Sequence, residues 1–411
     1  MNRFLIFMIG ATMPYLNFAI TAGGRNWTIP TIISGIYMLK LTPLLLNSFG
    51  DIYIKYKKYI ILPLLFIILL TFMNAFYSDQ VNRIPIINST IVMCYIMYLF
   101  FILHFEKDRK AYKFALNGFV FGNIILSILF LLKIGIEIDI ESGRLSMFGS
   151  NENQLGIYMD IAIITIISSW IINDAFNIGK LRYAIIPIVF PMLSLIVATG
   201  SRTALVILIS AIVVTIITKR SSSGISKLVF TIVGFVALFY SYRVLVPEGS
   251  VMDERIVATI EDGNTSGRTD IVENLIPYAM KHPIFGVGQT GYVEVARLAL
   301  KKVSVINGIT YGYSPHNVLI EILLYTGVIG LILMLIFWIG IIRSSYRIYK
   351  YKGKPVYMLL LIPILACIAS GQILGDKYAW LIYAIIIYCN QNIIESKTRN
   401  IKLQHEKNMP C

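Results

Sequence analysis

Residues 314–330, SPHNVLIEILLYTGVIG, open a long apolar run, yet they begin with a histidine and an asparagine, and a glutamate follows five residues after the histidine. A helix made only to sit in lipid has no use for His316, Asn317 or Glu321. The run that follows is long enough to cross a hydrocarbon core of about 30 Å, which takes about 20 apolar residues. A membrane segment with ionisable groups at its mouth therefore frames the reading.

Runs of this kind recur along most of the 411 residues, of which 57% are hydrophobic and only 14% charged, with a mean hydropathy of +0.73. Soluble domains carry about a quarter charged residues. A β-barrel would show short alternating segments, and these runs are solidly apolar. The fold class is an all-α polytopic membrane protein. About twelve spans are predicted, centred near Met8, Tyr37, Phe66, Tyr95, Ile124, Ile164, Phe190, Ser210, Val236, Leu331, Pro363 and Ile385. The second carries Lys40 and Pro43 in mid-run. If it only dips into the interface, one span is lost from the count.

Charge placement orients the chain. With the N-terminus inside, the cytoplasmic pieces hold 22 lysines and arginines, and the short outer loops hold six: Arg25, Arg83, Lys133, Arg144, Arg202 and Lys377. That asymmetry follows the positive-inside rule and puts both termini in the cytoplasm. The net charge of +14 follows from the same bias and from anionic lipid on the inner leaflet. The basic residues are scattered through loops instead of forming one stripe, so no nucleic-acid partner is expected. Cys94, Cys367 and Cys389 lie inside spans and Cys411 ends the tail, with no metal-ligand spacing and no structural disulfide implied. The first apolar run lacks a small-residue cleavage site and reads as a retained helix.

The predicted organisation is nine spans over 1–245, an extracytoplasmic loop domain over 246–315, three spans over 316–391 and a cytoplasmic tail over 392–411. Within the loop domain, DIVENLIPYAMK (270–281) and YVEVARLALKK (292–302) have apolar residues at helical spacing, and HPIFGVGQTGY between them reads as a tight turn. Short helices thus cap the membrane domain. A shorter outer segment, 135–150, also interrupts the spans. No internal repeat supports an inverted-repeat transporter.

The outer basic groups carry the chemistry. Arg202 lies in ATGSRTALVIL, where Gly200 and Ser201 let the backbone turn; a snorkelling arginine is the plain alternative. Arg268 lies in NTSGRTDIVENL at the expected start of a helix, where Thr265 or Ser266 could cap and the helix dipole favours an anion. The alternative for Arg268 is a surface bridge to Asp270 or Glu273. Two guanidinium forks and a helix N-terminus make a cradle for a diphosphate. His316 stands where an outer cavity would meet the membrane domain, and a neutral imidazole can take a proton from a sugar hydroxyl. His282, before a proline at a helix end, reads as structural. EIDIE, with Glu137, Asp139 and Glu141, reads as a divalent-metal site or as a solvated strand edge. FGVGQTG lacks the lysine of a phosphate loop.

Three motifs in order, TGSRTAL (199–205), SGRTDIVENLIPYAMKHPIFGVG (266–288) and SPHNVLIEILLYTGVIGL (314–331), resemble signatures of the O-antigen ligase and Wzy-type polymerase superfamily. A fourth, RLSMFGSNENQLGIYM (144–159), resembles its G-T-F-x-N-P-N stretch, although the proline is absent here and the glycine–threonine altered. The resemblance implies a GT-C-like glycosyltransferase acting outside the cytoplasmic (inner) membrane. It would pass a glycan from a polyprenyl-diphosphate donor, such as undecaprenyl diphosphate, to a sugar hydroxyl, without cofactor or metal. By that likeness Arg202 and Arg268 hold the diphosphate and His316 activates the acceptor. Arg144, Asn153, Asn317 and Glu321, in the same motifs, are the expected substrate-binding residues. The expected reaction is polymerisation of lipid-linked repeat units into O-antigen, capsule or a similar polysaccharide. Expected partners are the lipid-linked donor and acceptor, membrane lipid, a flippase and chain-length regulators. A ligase of the same family is the nearest rival. A transporter for lipid-linked sugars is the rival of another class, although Lys40 and Asp160 are the main ionisable groups in mid-span.

Overall fold

A computed structural model describes residues 3–15, 19–22, 25–78, 88–139, 143–148, 150–172, 185–218, 246, 248–261, 267–306, 309–370 and 373–407. The predicted span at Val236, the capping candidates Thr265 and Ser266, Glu141, Cys411, and the loop residues Arg83, Lys180, Arg182, Lys219, Arg220 and Lys227 lie outside the described residues.

The described residues are mostly helical. In order come α1 (Arg3–Thr12), a 3-10 turn and the hairpin of β1 (Ala19–Ala22) with β2 (Arg25–Thr28), then α2 (Ile29–Phe76), α3 (Ser89–Lys107) and α4 (Ala111–Leu131). A second hairpin, β3 (Ile136–Ile138) with β4 (Leu145–Met147), leads into α5 (Glu152–Ile172), α6 (Ile185–Ala198) and α7 (Arg202–Thr218). The loop domain holds α8 (Val251–Glu261), α9 (Arg268–Ala279), α10 (Gly288–Leu300) and the hairpin of β5 (Val303–Ile306) with β6 (Ile309–Gly312). The chain then runs through α11 (Val318–Lys352), α12 (Val356–Leu359), α13 (Leu361–Ser370) and α14 (Lys377–Lys407). All three hairpins are antiparallel and separate from one another.

Among the described residues, α2, α3, α4 and α11 are long and apolar enough to cross a membrane. Shorter apolar helices fall at α6, at α7 and along α12–α13. The predicted spans near Tyr37 and Phe66 are the two halves of α2, whose 48 residues are bent at Tyr56 and contain Pro43 and Pro63. The Tyr37 hydroxyl bonds the Phe100 carbonyl and His104, and Tyr56 bonds Glu106, so both meet the last stretch of α3. A helix following α3 would climb about 28 Å over those nineteen residues, so the first half of α2 runs across α3 instead of along it. The second half runs antiparallel to α3: Tyr98 and Tyr95 donate to the Tyr59 and Ile60 carbonyls. At ten residues, α1 rises only about 15 Å, half of a crossing.

Close helix contacts rest on small residues. A Cβ on Gly118 would lie 2.0 Å from the Phe7 carbonyl oxygen, and one on Gly122 would lie 2.1 Å from that of Ala11. The spacing of this pair lets α4 lie parallel against α1. The α3–α11–α14 seam is aromatic instead, with Tyr98, Phe337, Trp380 and Tyr383 edge to face and Trp338 Nε1 donating to the Tyr383 hydroxyl at 3.0 Å. At the far end of α3, Lys55 pairs with both Glu106 and Glu395, which ties α2, α3 and α14 together.

The HPIFGVG turn does not lie above the helices but inserts into one of them. Gly327 has φ 63° and ψ −164°, which opens α11, and the gap is stitched to the turn. The Val287 N–H donates to the Leu324 carbonyl at 2.7 Å, and the Val328 N–H donates to the Pro283 carbonyl at 2.8 Å. A side chain on Gly327 would lie 2.2 Å from the Ile284 carbonyl, so glycine is required for both dihedral and space. The flanking helices begin close to expectation, α9 at Arg268 and α10 at Gly288, four residues before the predicted Tyr292. The helix α8 was not foreseen, and α14 continues unbroken through the predicted tail to Lys407.

Candidate active site

Four elements each deliver one arginine to the same region. Arg144 precedes β4, Arg202 opens α7, Arg255 lies in α8 and Arg268 opens α9. The turn before Arg202 depends on Gly200, whose φ of 61° reverses the chain between α6 and α7. Gly267, at φ 71°, stands at the N-cap of α9, so Arg268 sits at the positive end of a helix. Among the described residues Arg268 makes no ion pair, and the alternative bridge to Asp270 or Glu273 does not form.

Arg144 is the anchored member, only 8% exposed. Its Nε donates to the Thr199 carbonyl at 2.9 Å, its Nη2 to Asn153 Oδ1 at 2.9 Å, and its Nη1 lies 3.4 Å from Glu152 Oε2. Ser201 Oγ donates to the same Asn153 oxygen at 3.2 Å. Arg144 and Asn153, expected as substrate ligands, thus bond each other and brace the α6–α7 turn that presents Arg202. Arg202 Nη1 in turn donates to the Arg255 backbone carbonyl at 3.1 Å, which ties α7 to α8.

The four charges feel one another. Burial first, then the charges of Arg144, Arg202 and Arg268, bring the Arg255 guanidinium down to about 10. Arg268 is lowered by burial and then by Arg202 and Arg144. Arg144 is lowered by burial, with Glu152 and Asp139 opposing. All remain charged at neutral pH. Holding four like charges together costs folding free energy unless something anionic repays it.

His316 lies beside this cluster. Burial lowers its pKa, and the Arg268 charge lowers it further, so the ring is neutral at neutral pH. Its φ is 50°, a left-handed conformation that costs a non-glycine residue about 1–3 kcal/mol and persists where the surroundings dictate it. The His316 N–H donates to Ser314 Oγ at 3.2 Å, and the Tyr313 ring packs edge-on at 5.6 Å. Asn317 is the N-cap of α11, its Oδ1 accepting from the Leu319 and Ile320 N–H groups at 3.0 and 3.2 Å. Its sequence position is thus explained by the helix it starts. Glu321, one turn on, is hydrogen-bonded to Tyr325.

Sequence reasoning missed two residues. Arg255 lies outside every recognised motif, in VMDERIVATIE; a count of basic residues in the loop segment would have flagged it. Asp376, just before α14, accepts from Gln154 Nε2 at 2.7 Å and is brought up to about 7 by burial and then by the Glu321 charge. Gln154 follows Asn153, so this carboxylate pair adjoins the arginine brace. His282, read as structural, has its Nδ1 3.5 Å from the Tyr77 hydroxyl. Glu137 and Asp139 sit on and just after β3.

Residues 187–335 match a family model described as O-Antigen ligase, and that stretch contains Arg202, Arg255, Arg268 and His316. No curated protein matches the chain. The match covers the stretch that supplies three of the four arginines and the histidine, and it supports the resemblance to the O-antigen ligase/Wzy family.

Proposed function

We propose that the protein is a polysaccharide polymerase on the outer face of the cytoplasmic membrane. It passes glycan from a polyprenyl-diphosphate donor to a hydroxyl of another lipid-linked repeat unit. One observation carries the reading: guanidiniums from four separate stretches of the chain gather beside a half-buried, neutral imidazole.

The electrostatics support it. The guanidiniums lower one another's proton affinity, with Glu152 opposing at Arg144 and Arg255 and Asp139 opposing at Arg144. A glycosyl prenyl diphosphate carries two negative charges, and the departing prenyl diphosphate gains a third. Fixed cations therefore bind the product-like state more strongly than the ground state, which is what lowers a barrier. The acceptor oxygen attacks the anomeric carbon as its proton passes to His316. The bond from that carbon to the diphosphate oxygen breaks, and the electron pair stays on the diphosphate. One displacement inverts the anomeric centre. No general acid is needed once the leaving oxygen is neutralised. In this reading Glu321 and Asp376 hydrogen-bond acceptor hydroxyls.

The test is purified protein in vesicles with a defined lipid-linked repeat unit. Wild type makes chains of several repeats, with full turnover in excess chelator; His316→Ala, correctly inserted, makes none. Normal-length chains from that variant refute the role of His316. The family model is described as a ligase, and a ligase reading predicts a single transfer to a different acceptor with no chain growth.

A further inference from the structure

The inserted HPIFGVG turn creates a second feature, remote from the arginines. Between it and the last turns of α2 lies an apolar groove of about 330 Å³, lined by Phe72, Phe76, Tyr77, His282, Ile284 and Phe285 among others. Its aromatic and aliphatic side chains stay open: Phe76 is 69% exposed, Ile284 54% and Phe285 50%. The turn is bonded to α11 at Leu324–Val328, and Gly327 lies nine residues, about 14 Å, inside a helix long enough to cross a membrane. The groove therefore lies beside two helices long and apolar enough to cross a membrane. Lys281 stands next to it, its Nζ 4.6 Å from the Tyr278 ring centroid, and gives the groove a cationic neighbour.

We propose that this groove holds the prenyl tail of the lipid-linked acceptor, with the acceptor's own diphosphate near Lys281. The inference rests on the polymerase reading. The arginine brace is built on α5, α6, α7 and α8, which pack on one another, whereas the groove belongs to the end of α2 and to the turn entering α10. Helix α9 spans the two regions, with Arg268 at its start and the groove just past its end, about 18 Å along. A donor has its diphosphate at the reacting carbon, so its tail begins at the arginines. An acceptor reacts at the sugar end far from its diphosphate, so its tail must begin a few sugars away. The groove lies at that kind of separation, and its apolar lining beside a lysine complements a tail attached to an anion.

The experiment compares two acceptors bearing the same repeat unit, one on a long polyprenyl diphosphate and one on a short, water-soluble prenyl diphosphate. For each variant, Phe76→Ser and Phe285→Ser, the preference for the long tail, read as a ratio of kcat/KM values, falls about tenfold, the loss expected for one aromatic side chain. An unchanged ratio overturns the proposal, as does an equal loss with both acceptors. A benzophenone-tailed acceptor, photolysed with donor in excess, labels the 72–77 and 282–286 peptides. If wild type transfers to neither acceptor, the polymerase reading fails, and the label alone decides the groove: none there, or a label erased by phosphatidylglycerol, overturns the assignment.

Discussion

Removing Arg255 separates a binding charge from a structural one. The side chain is half-buried and crowded by three other guanidiniums; burial first, then those charges, bring its pKa down to about 10. Its backbone carbonyl, which receives Arg202 Nη1, survives in Arg255→Ala. Stability should therefore change by no more than about 1 kcal/mol, because relieved repulsion offsets lost packing. Turnover should respond quite differently. A hydrogen bond to a charged group is worth about 1.5–3 kcal/mol, which corresponds to about 10- to 150-fold in kcat/KM. Arg255→Lys should fall between the two, since it keeps the charge and loses the fork. The assay is release of prenyl diphosphate from a defined donor in vesicles, with thermal unfolding measured on the same preparations. Arg297→Ala is the control: that arginine is exposed and pairs only with Glu294 on its own helix, so turnover should stay within about twofold. Arg255→Ala with turnover within twofold of wild type, or with lost turnover matched by lost folding, would refute the reasoning.

Three further outcomes follow from the same geometry. Lysine at Arg202 or Arg268 should lower kcat/KM by at least about tenfold, measured with the same donor, because a point charge replaces a bidentate fork. The pH profile of kcat/KM should lose activity only on the acid side of the ordinary histidine range, since His316 must be neutral and burial with Arg268 lowers its pKa. Arg268→Gln removes one of those causes, so that acid limb should move to higher pH; a limb that stays put contradicts the coupling. Gly327→Ala should destabilise the protein by several kcal/mol in chemical denaturation, since its Cβ would meet the Ile284 carbonyl and the positive φ adds strain.

Much of this was readable in the chain. The motifs around Arg202, Arg268 and His316 each stand at the start of a helix, and the folded chain brings them within electrostatic reach. Gly200 turns the chain before Arg202 as its sequence suggests. Arg255 was invisible because nothing local marks it; only the arrival of α8 beside α7 gives it meaning. Gly327 was invisible for the opposite reason. In YTGVIG it reads as one small residue in an unbroken apolar helix, and its role depends on a turn some forty residues earlier. Arg144 and Asn153 illustrate a third limit. Their residue types suit phosphate and sugar, yet their side chains are largely taken up by each other and by Thr199, Ser201 and Glu152. The spans near Tyr37 and Phe66 were expected as separate helices, whereas one helix bent at Tyr56 continues between them through Lys55, Lys57 and Lys58.

The most direct measurement is an experimental structure of the protein in lipid with a non-hydrolysable glycosyl prenyl diphosphate bound. The account predicts both phosphates within hydrogen-bonding distance of Arg202, Arg255 and Arg268, and the anomeric carbon on the His316 side. A diphosphate seated elsewhere, such as on the Lys55–Lys58 cluster at the opposite end of α3, would contradict it.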